Sequence, residues 1–166
     1  PARRALCHRR VAETFVAQSG HNHSTIEAQI ALHFERAGLV MRALPYYLQA
    51  AQSAKRIYAN EEAVNYFEHG IMLLAEIAGP TNVERSDLEQ LYIDIYTGLG
   101  DTQVTVGNYA SAREAYRVAL QHISPHEHLG QAIQRRKIGD TQSTQHYYEE
   151  ALSTYRMSER LFDNAS

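Results

Sequence analysis

Two glycines most constrain what this chain can fold into. Gly100 and Gly139 stand 39 residues apart, each between an apolar residue (Leu99, Ile138) and an aspartate (Asp101, Asp140), with an alanine twelve positions on (Ala112, Ala151). A glycine inside a helix costs about 1 kcal/mol relative to alanine, so close approach of a facing helix is expected to offset it. The surroundings of Gly100 are helical in period. Leu88, Leu91, Tyr92, Ile95, Tyr96 and Leu99 fall at three- and four-residue steps and make one apolar stripe. Ala112, Ala115, Tyr116, Ala119 and Leu120 make a second. Gly107-Asn108 supplies the left-handed backbone a short reversal needs. The pattern predicts two packed helices touching where Gly100 faces Ala112.

The same pattern recurs earlier. Ala31, Gly38, Ala43, Tyr47 and Ala50 precede Gly100, Gly107, Ala112, Tyr116 and Ala119 by 69 residues each. Periodicity and end signals predict helices over about 2–18, 25–37, 40–58 and 61–78 in the first half. Leu6, Val11, Ala12, Phe15 and Val16 are expected to line the first, Gly38 to close the second and Asn60 to cap the fourth. A fifth helix starts near Val83 or at the Ser86-Asp-Leu-Glu89 capping box, and the stripe of Ala112 and Tyr116 makes the sixth. Ser124-Pro125-His-Glu127 predicts a capped start for a seventh helix ending near Thr144, with an eighth over about 146–163. His146 stands where the better copy has Gly107, and the seventh helix is polar, so the last pair is expected to be the least stable.

Leu99-Gly100, Gly107, Tyr109, Ala112, Tyr116 and Ala119 together resemble the tetratricopeptide repeat (TPR), a helix–turn–helix unit of roughly 34 residues. Tyr96 stands in for the family's tryptophan, Gln103 for its mid-helix tyrosine, and the terminal proline is displaced to Pro125. The resemblance implies an all-α, right-handed α-α superhelix, a TPR-like solenoid of about eight helices spanning 1–166 as one repeat domain. Arg3–Glu13, Ile30–Gly38 and Tyr58–Phe67 are similar to a second family context. This is the helical region that follows the nucleotide-binding domain in large bacterial signal-transducing ATPases, coupled to transcriptional activator or nucleotidyl cyclase output domains. That likeness implies an adjacent ATPase domain in a parent protein. The start at Pro1 rather than methionine agrees with a fragment of a longer chain.

Charge and motifs narrow the function. Sixteen basic and nineteen acidic residues, for a net charge of −3, offer no basic stripe for nucleic acid. Arg3, Arg4, Arg9 and Arg10, and Arg135-Arg136-Lys137, read as solvated helix faces. No run of 18 apolar residues and no export pattern occurs, so a cytoplasmic location without membrane contact is expected. The lone Cys7 permits no internal disulfide and reads as a small buried apolar residue. No glycine is followed by lysine, which excludes a phosphate-binding P-loop. His21-Asn-His23 and His126-Glu-His128 lack the further ligands a zinc site requires, and His33 reads as a half-buried, hydrogen-bonded residue. No catalytic residue, metal or cofactor is expected.

A binding surface is what remains. Stacked hairpins line a concave groove with their first helices. The register places Asp94, Thr97, Asp101, Val104 and Thr105 there from the fifth helix, Arg136, Asp140 and Thr144 from the seventh, and Gln52 and Arg56 from the third. The expected function is a non-catalytic module that binds a protein, a peptide or a small-molecule inducer in a bacterial signalling or transcriptional regulator. The alternative is a stand-alone scaffold for oligomerisation or complex assembly.

Overall fold

The computed structural model describes residues 2–18, 24–77 and 85–165. They form eight α-helices and, among the described residues, no strand. The chain divides into two compact units, Pro1–Asn82 and Val83–Ser166. Unit 1 holds α1 (Ala2–Gln18), α2 (Ser24–Arg36), α3 (Val40–Arg56) and α4 (Asn60–Ile77). Unit 2 holds α5 (Arg85–Thr105), α6 (Tyr109–His122), α7 (His128–Thr144) and α8 (Tyr148–Ala165). Within each unit every helix packs on the next in sequence.

Four of the reversals are built alike. Gly38, Tyr58, Gly107 and His146 take positive φ, at 74°, 60°, 81° and 66°. The residue after each donates its N–H to a carbonyl five positions back: Leu39 to Phe34, Ala59 to Ala54, Asn108 to Gln103 and Tyr147 to Gln142, at 2.8–3.0 Å. This is the Schellman closure, which satisfies the last carbonyls of a helix with backbone alone. It explains why His146 substitutes for a glycine without opening the turn. Tyr58, expected inside α3, is itself a turn residue and is 81% exposed.

Other ends shift for local reasons. The Ser124-Pro-His-Glu127 segment is a turn, not the first turn of α7. Glu127 N–H reaches the Ser124 carbonyl at 3.0 Å, and α7 begins at His128. Asn60 lies within α4 and its Oδ1 is buried with no hydrogen-bond partner among the described residues, so it does not cap. The fifth helix is described from Arg85, which puts Ser86 inside it rather than at the cap; Val83 lies outside the described residues. His21 and His23 also lie outside them.

The core is small-residue rich. Ala31, Ala43, Ala50, Ala63, Ala112, Ala119 and Ala132 are fully buried, beside Phe34, Leu44, Phe67 and Leu74. α1 presents the expected face only in part: Ala12 and Phe15 lie on it as expected, joined by His8, but Leu6, Val11 and Val16 do not. Only Ala12 is buried, with His8 and Phe15 half-buried against His33 of α2, whereas Leu6, Val11 and Val16 are exposed. Cys7 lies off that face and is exposed, contrary to its expected burial.

Gly100 faces the ring of Tyr116. A Cβ at Gly100 would meet that ring at 2.4 Å, and a Cβ at Gly139 would meet the Tyr155 ring at 2.6 Å. Each tyrosine follows its glycine by 16 residues, as Tyr47 follows Ala31. Gly70, buried on α4, stands 39 residues after Ala31, the spacing of Gly139 after Gly100. Thus α2, α4, α5 and α7 carry a small residue at one register position, and α3, α6 and α8 carry the tyrosine that answers it.

Candidate functional site: the α5–α7 face

Two tyrosine hydroxyls tie three helices together by the same device. In unit 2 the Tyr116 hydroxyl of α6 donates to Asp101 Oδ1 of α5 at 2.8 Å. Lys137 of α7 approaches the same oxygen at 2.5 Å and lies over the Tyr116 ring, 5.4 Å from its centroid. In unit 1 the Tyr47 hydroxyl of α3 donates to Glu35 Oε2 of α2 at 2.6 Å, and His69 of α4 reaches that oxygen at 2.9 Å. Each closure joins a carboxylate, a tyrosine from the next helix and a basic group from the helix after that. Lys137 is therefore a seam residue and not merely part of a solvated basic run.

The electrostatics follow from this geometry. Burial and the Asp101 carboxylate push the Tyr116 phenol far above its ordinary value. Burial and Glu35 do the same to Tyr47. Burial pushes the Glu35 carboxyl up, but the hydrogen bonds from Tyr47 and His69 outweigh it and hold the group below the usual carboxylate value. Both phenols stay protonated donors across the physiological range, which suits an architectural role.

The residues expected to line a groove fall into three situations. Val104 packs against the Ala112, Tyr116 and Ile138 cluster, and Asp101 is held in the closure. Thr97 is half-buried and accepts a hydrogen bond from Gln134 Nε2 of α7 at 2.8 Å. Asp94 is half-buried, its carboxyl pushed up by burial against a hydrogen bond from Gln90. Thr105, Arg136, Asp140 and Thr144 are exposed. In unit 1, Gln52 and Arg56 are exposed, and Arg56 donates to Ser53 Oγ at 2.7 Å, which in turn donates to Glu27.

Asp94, Thr97, Asp101 and Thr105 run along α5 at helical steps, as Arg136, Asp140 and Thr144 do along α7. Gln134–Thr97 and Lys137–Asp101 stitch the two helices side by side. Gln134 and Lys137 escaped the sequence reading because long polar side chains on α7 carry no periodic signal of burial; Gln134 is only 3% exposed. Among the described residues no three His, Cys, Asp or Glu side chains converge as a metal site requires. Nor, among these residues, is any helix long and apolar enough to cross a membrane.

Comparison with solved structures places the architecture. The chain is similar to a structure described as "Crystal structure of MamA", with 15% identity, a TM-score of 0.55, and coverage of 97% of this chain and 88% of that one. The fold is TPR-like. A second structure, "MamA MSR-1 C2", aligns over 98% of this chain and 91% of that one at 15% identity and a TM-score of 0.44. No protein-family model matches the chain, and no curated protein is similar to it in sequence.

Proposed function

We propose that this chain is a non-catalytic protein-interaction scaffold whose partner lies along the α5–α7 face. The supporting observation is that face itself: two helices stitched by Gln134–Thr97 and Lys137–Asp101, presenting exposed Thr105, Arg136, Asp140 and Thr144 at helical steps. Donors, acceptors and both charge signs suit an extended peptide, whose backbone and side chains need all three. The tyrosines and carboxylates beneath the face are engaged with each other and support its shape rather than any reaction. A single-site selection from a random peptide library tests this reading. Selected peptides should bind the intact chain and lose at least tenfold in affinity to Thr105→Arg and to Arg136→Glu. Peptides indifferent to both substitutions would remove the face from consideration.

The narrower reading, an inducer-sensing arm beside an ATPase domain in a bacterial cytoplasmic regulator, rests on the sequence resemblance over residues 3–78. The scaffold reading has the support of the fold as well, and it does not require that context.

A further inference from the structure

Unit 1 holds two histidine contacts between helices, and they answer a proton in opposite ways. At the α1–α2 seam a base faces a base. His8 and His33 bring their Nδ1 atoms to 2.8 Å, with ring centroids 5.0 Å apart and the Phe15 ring 6.0 Å from that of His33. An imidazole nitrogen donates only when it carries a proton and accepts only when it does not, so one of the two Nδ1 atoms must be bare. Two imidazolium rings would set N–H against N–H. The surroundings offer the second proton no counter-charge. The charges that bear on His33 are His8 across the seam and Arg36 on its own helix, and Arg4 and Arg9 flank His8 on α1. Arg42 of α3 lies over the Phe34 ring and, with Arg9, holds Glu13, the one carboxylate of α1. Between α2 and α4 a base faces an acid. His69 Nε2 lies 2.9 Å from Glu35 Oε2, which also accepts from the Tyr47 hydroxyl of α3. A proton added to His69 turns this hydrogen bond into an ion pair and breaks nothing.

We propose that α1 is a proton-released helix: mild acid frees it from α2 while drawing α4 more firmly onto α2. The hold on α1 is slight enough for one contact to matter. It packs mainly on α2, and Ala12 is its buried residue. Burial, His8 and Arg36 hold His33 below its ordinary value of 6.5. A group lowered in this way contributes its stability above the ordinary value, and that stability is lost as pH falls through the lowered one. Glu35 sits below its ordinary value of 4.5 and stays charged over that window, so it is ready to receive a protonated His69. Arg9 and Arg42 lower Glu13 as well, so its tie to α3 outlasts the imidazole contact on the way down. The release therefore belongs to the histidine pair and not to the carboxylates. The device lies in unit 1 and does not involve the α5–α7 face.

Hydrogen exchange of the whole chain, corrected for the intrinsic pH dependence of amide chemistry, reads both helices at once. From about pH 7.5 to about pH 5, protection in α1 should fall about tenfold or more while protection in α4 holds or rises. His33→Gln is the deciding variant. Its amide can pair with His8 whatever the charge on that ring, so the loss in α1 should shrink to about threefold or less, and His8→Gln should act the same way. His69→Gln should leave the α1 loss intact and remove any gain in α4. In the unsubstituted chain the ring resonances of His8 and His33 should titrate together with the opening of α1, a measurement that needs no variant to fold. Unchanged protection in α1, an undiminished loss in both glutamine variants, ring titrations that finish while α1 stays closed, or an equal loss across α1 to α4 would each overturn the proposal.

Discussion

Units 1 and 2 solve one problem with different residues. Both must seat a tyrosine of the second helix against the first and then fasten the third. Unit 2 places glycine under the ring and receives the hydroxyl on Asp101, the residue after it. Unit 1 has Ala31 at the matching position, and the hydroxyl is received by Glu35, four residues on. Removing the Cβ lets the ring lie flat on the helix and bond close by; keeping it goes with a longer carboxylate nearly one turn further along. The third group differs too: Lys137 comes from two residues before Gly139, but His69 from one residue before Gly70. The conserved object within the molecule is therefore an arrangement of groups, not a register of residue types.

The largest expected effect breaks the glycine side of this comparison. Gly100→Ala puts a Cβ within 2.4 Å of the Tyr116 ring, so the ring must move and drag its hydroxyl from Asp101. Overpacking of this kind costs about 1–3 kcal/mol, and the lost hydrogen bond adds to it. Denaturant unfolding should show Gly100→Ala among the most destabilising conservative changes. An equal or smaller loss for Gly100→Ala than for Thr105→Ala would show that the ring is not seated as described. Ala112→Leu, at a fully buried site, should cost about 1–3 kcal/mol and exceed Ser111→Leu at an exposed one.

Next in size is the split between carboxylate and cation. Asp101→Ala strands the Tyr116 hydroxyl, costing about 1–3 kcal/mol. Lys137→Ala removes a pair whose side chains are 29% and 28% exposed, so its cost should stay near 1 kcal/mol or below. The reverse ranking in thermal unfolding would mean that the charge pair, not the phenol, holds the seam.

Acid should sharpen the difference between the units. The folded Glu35 carboxyl sits below its ordinary value of 4.5, so it contributes stability above that pH and loses it as pH falls through the folded value. The stability gap between wild type and Glu35→Gln should be full near neutrality and shrink below about pH 4.5. A gap constant from pH 7 to pH 3 would deny Glu35 this role. At the junction of α1 and α2, burial and the neighbouring His8 and Arg36 lower the folded value of His33, whose ring lies with Nδ1 2.8 Å from that of His8. That contribution is present above 6.5 and fades as pH falls below it, so amide exchange in α1 should quicken on mild acidification.

The smallest effect runs the other way. Tyr58 holds a left-handed conformation that costs a residue with a Cβ about 1–2 kcal/mol, relieved by glycine at some expense in chain entropy. Tyr58→Gly should raise stability by about 0.5–1 kcal/mol. His146→Gly should gain less, because the imidazole also contacts the Tyr148 hydroxyl at 2.6 Å.

Much of the fold was legible because it rests on spacing. The positions of Gly38, Gly100, Gly107 and Gly139 gave the turns and the seams, since few other residues serve where backbone must reverse or helices must touch. Tyr58 was not legible, because a Schellman closure is made by backbone bonds and leaves little trace in the side chain. The Ser124 segment looked like a capping box, but its hydroxyl and carbonyl are engaged in a local turn and by Gln131. On α1, Ala12 and Phe15 were legible, but hydrophobicity also pointed to Leu6, Val11 and Val16, which are exposed, whereas His8 joins Phe15 against His33. At the candidate site the register placed Thr105, Arg136 and Thr144 on exposed helix surface, but the closure beneath was hidden. Its carboxylates sit at different register positions in the two units, so no single motif spells it.

The closures also leave an optical signature. The chain has eleven tyrosines and no tryptophan, so its intrinsic emission is phenolic. A phenol bonded to a carboxylate passes its proton across on excitation and emits weakly, and Tyr47, Tyr116 and Tyr155 are all so bonded. Their brightening on unfolding reports when each seam opens, and substituting them one at a time by phenylalanine would turn the untagged protein into its own seam-by-seam indicator.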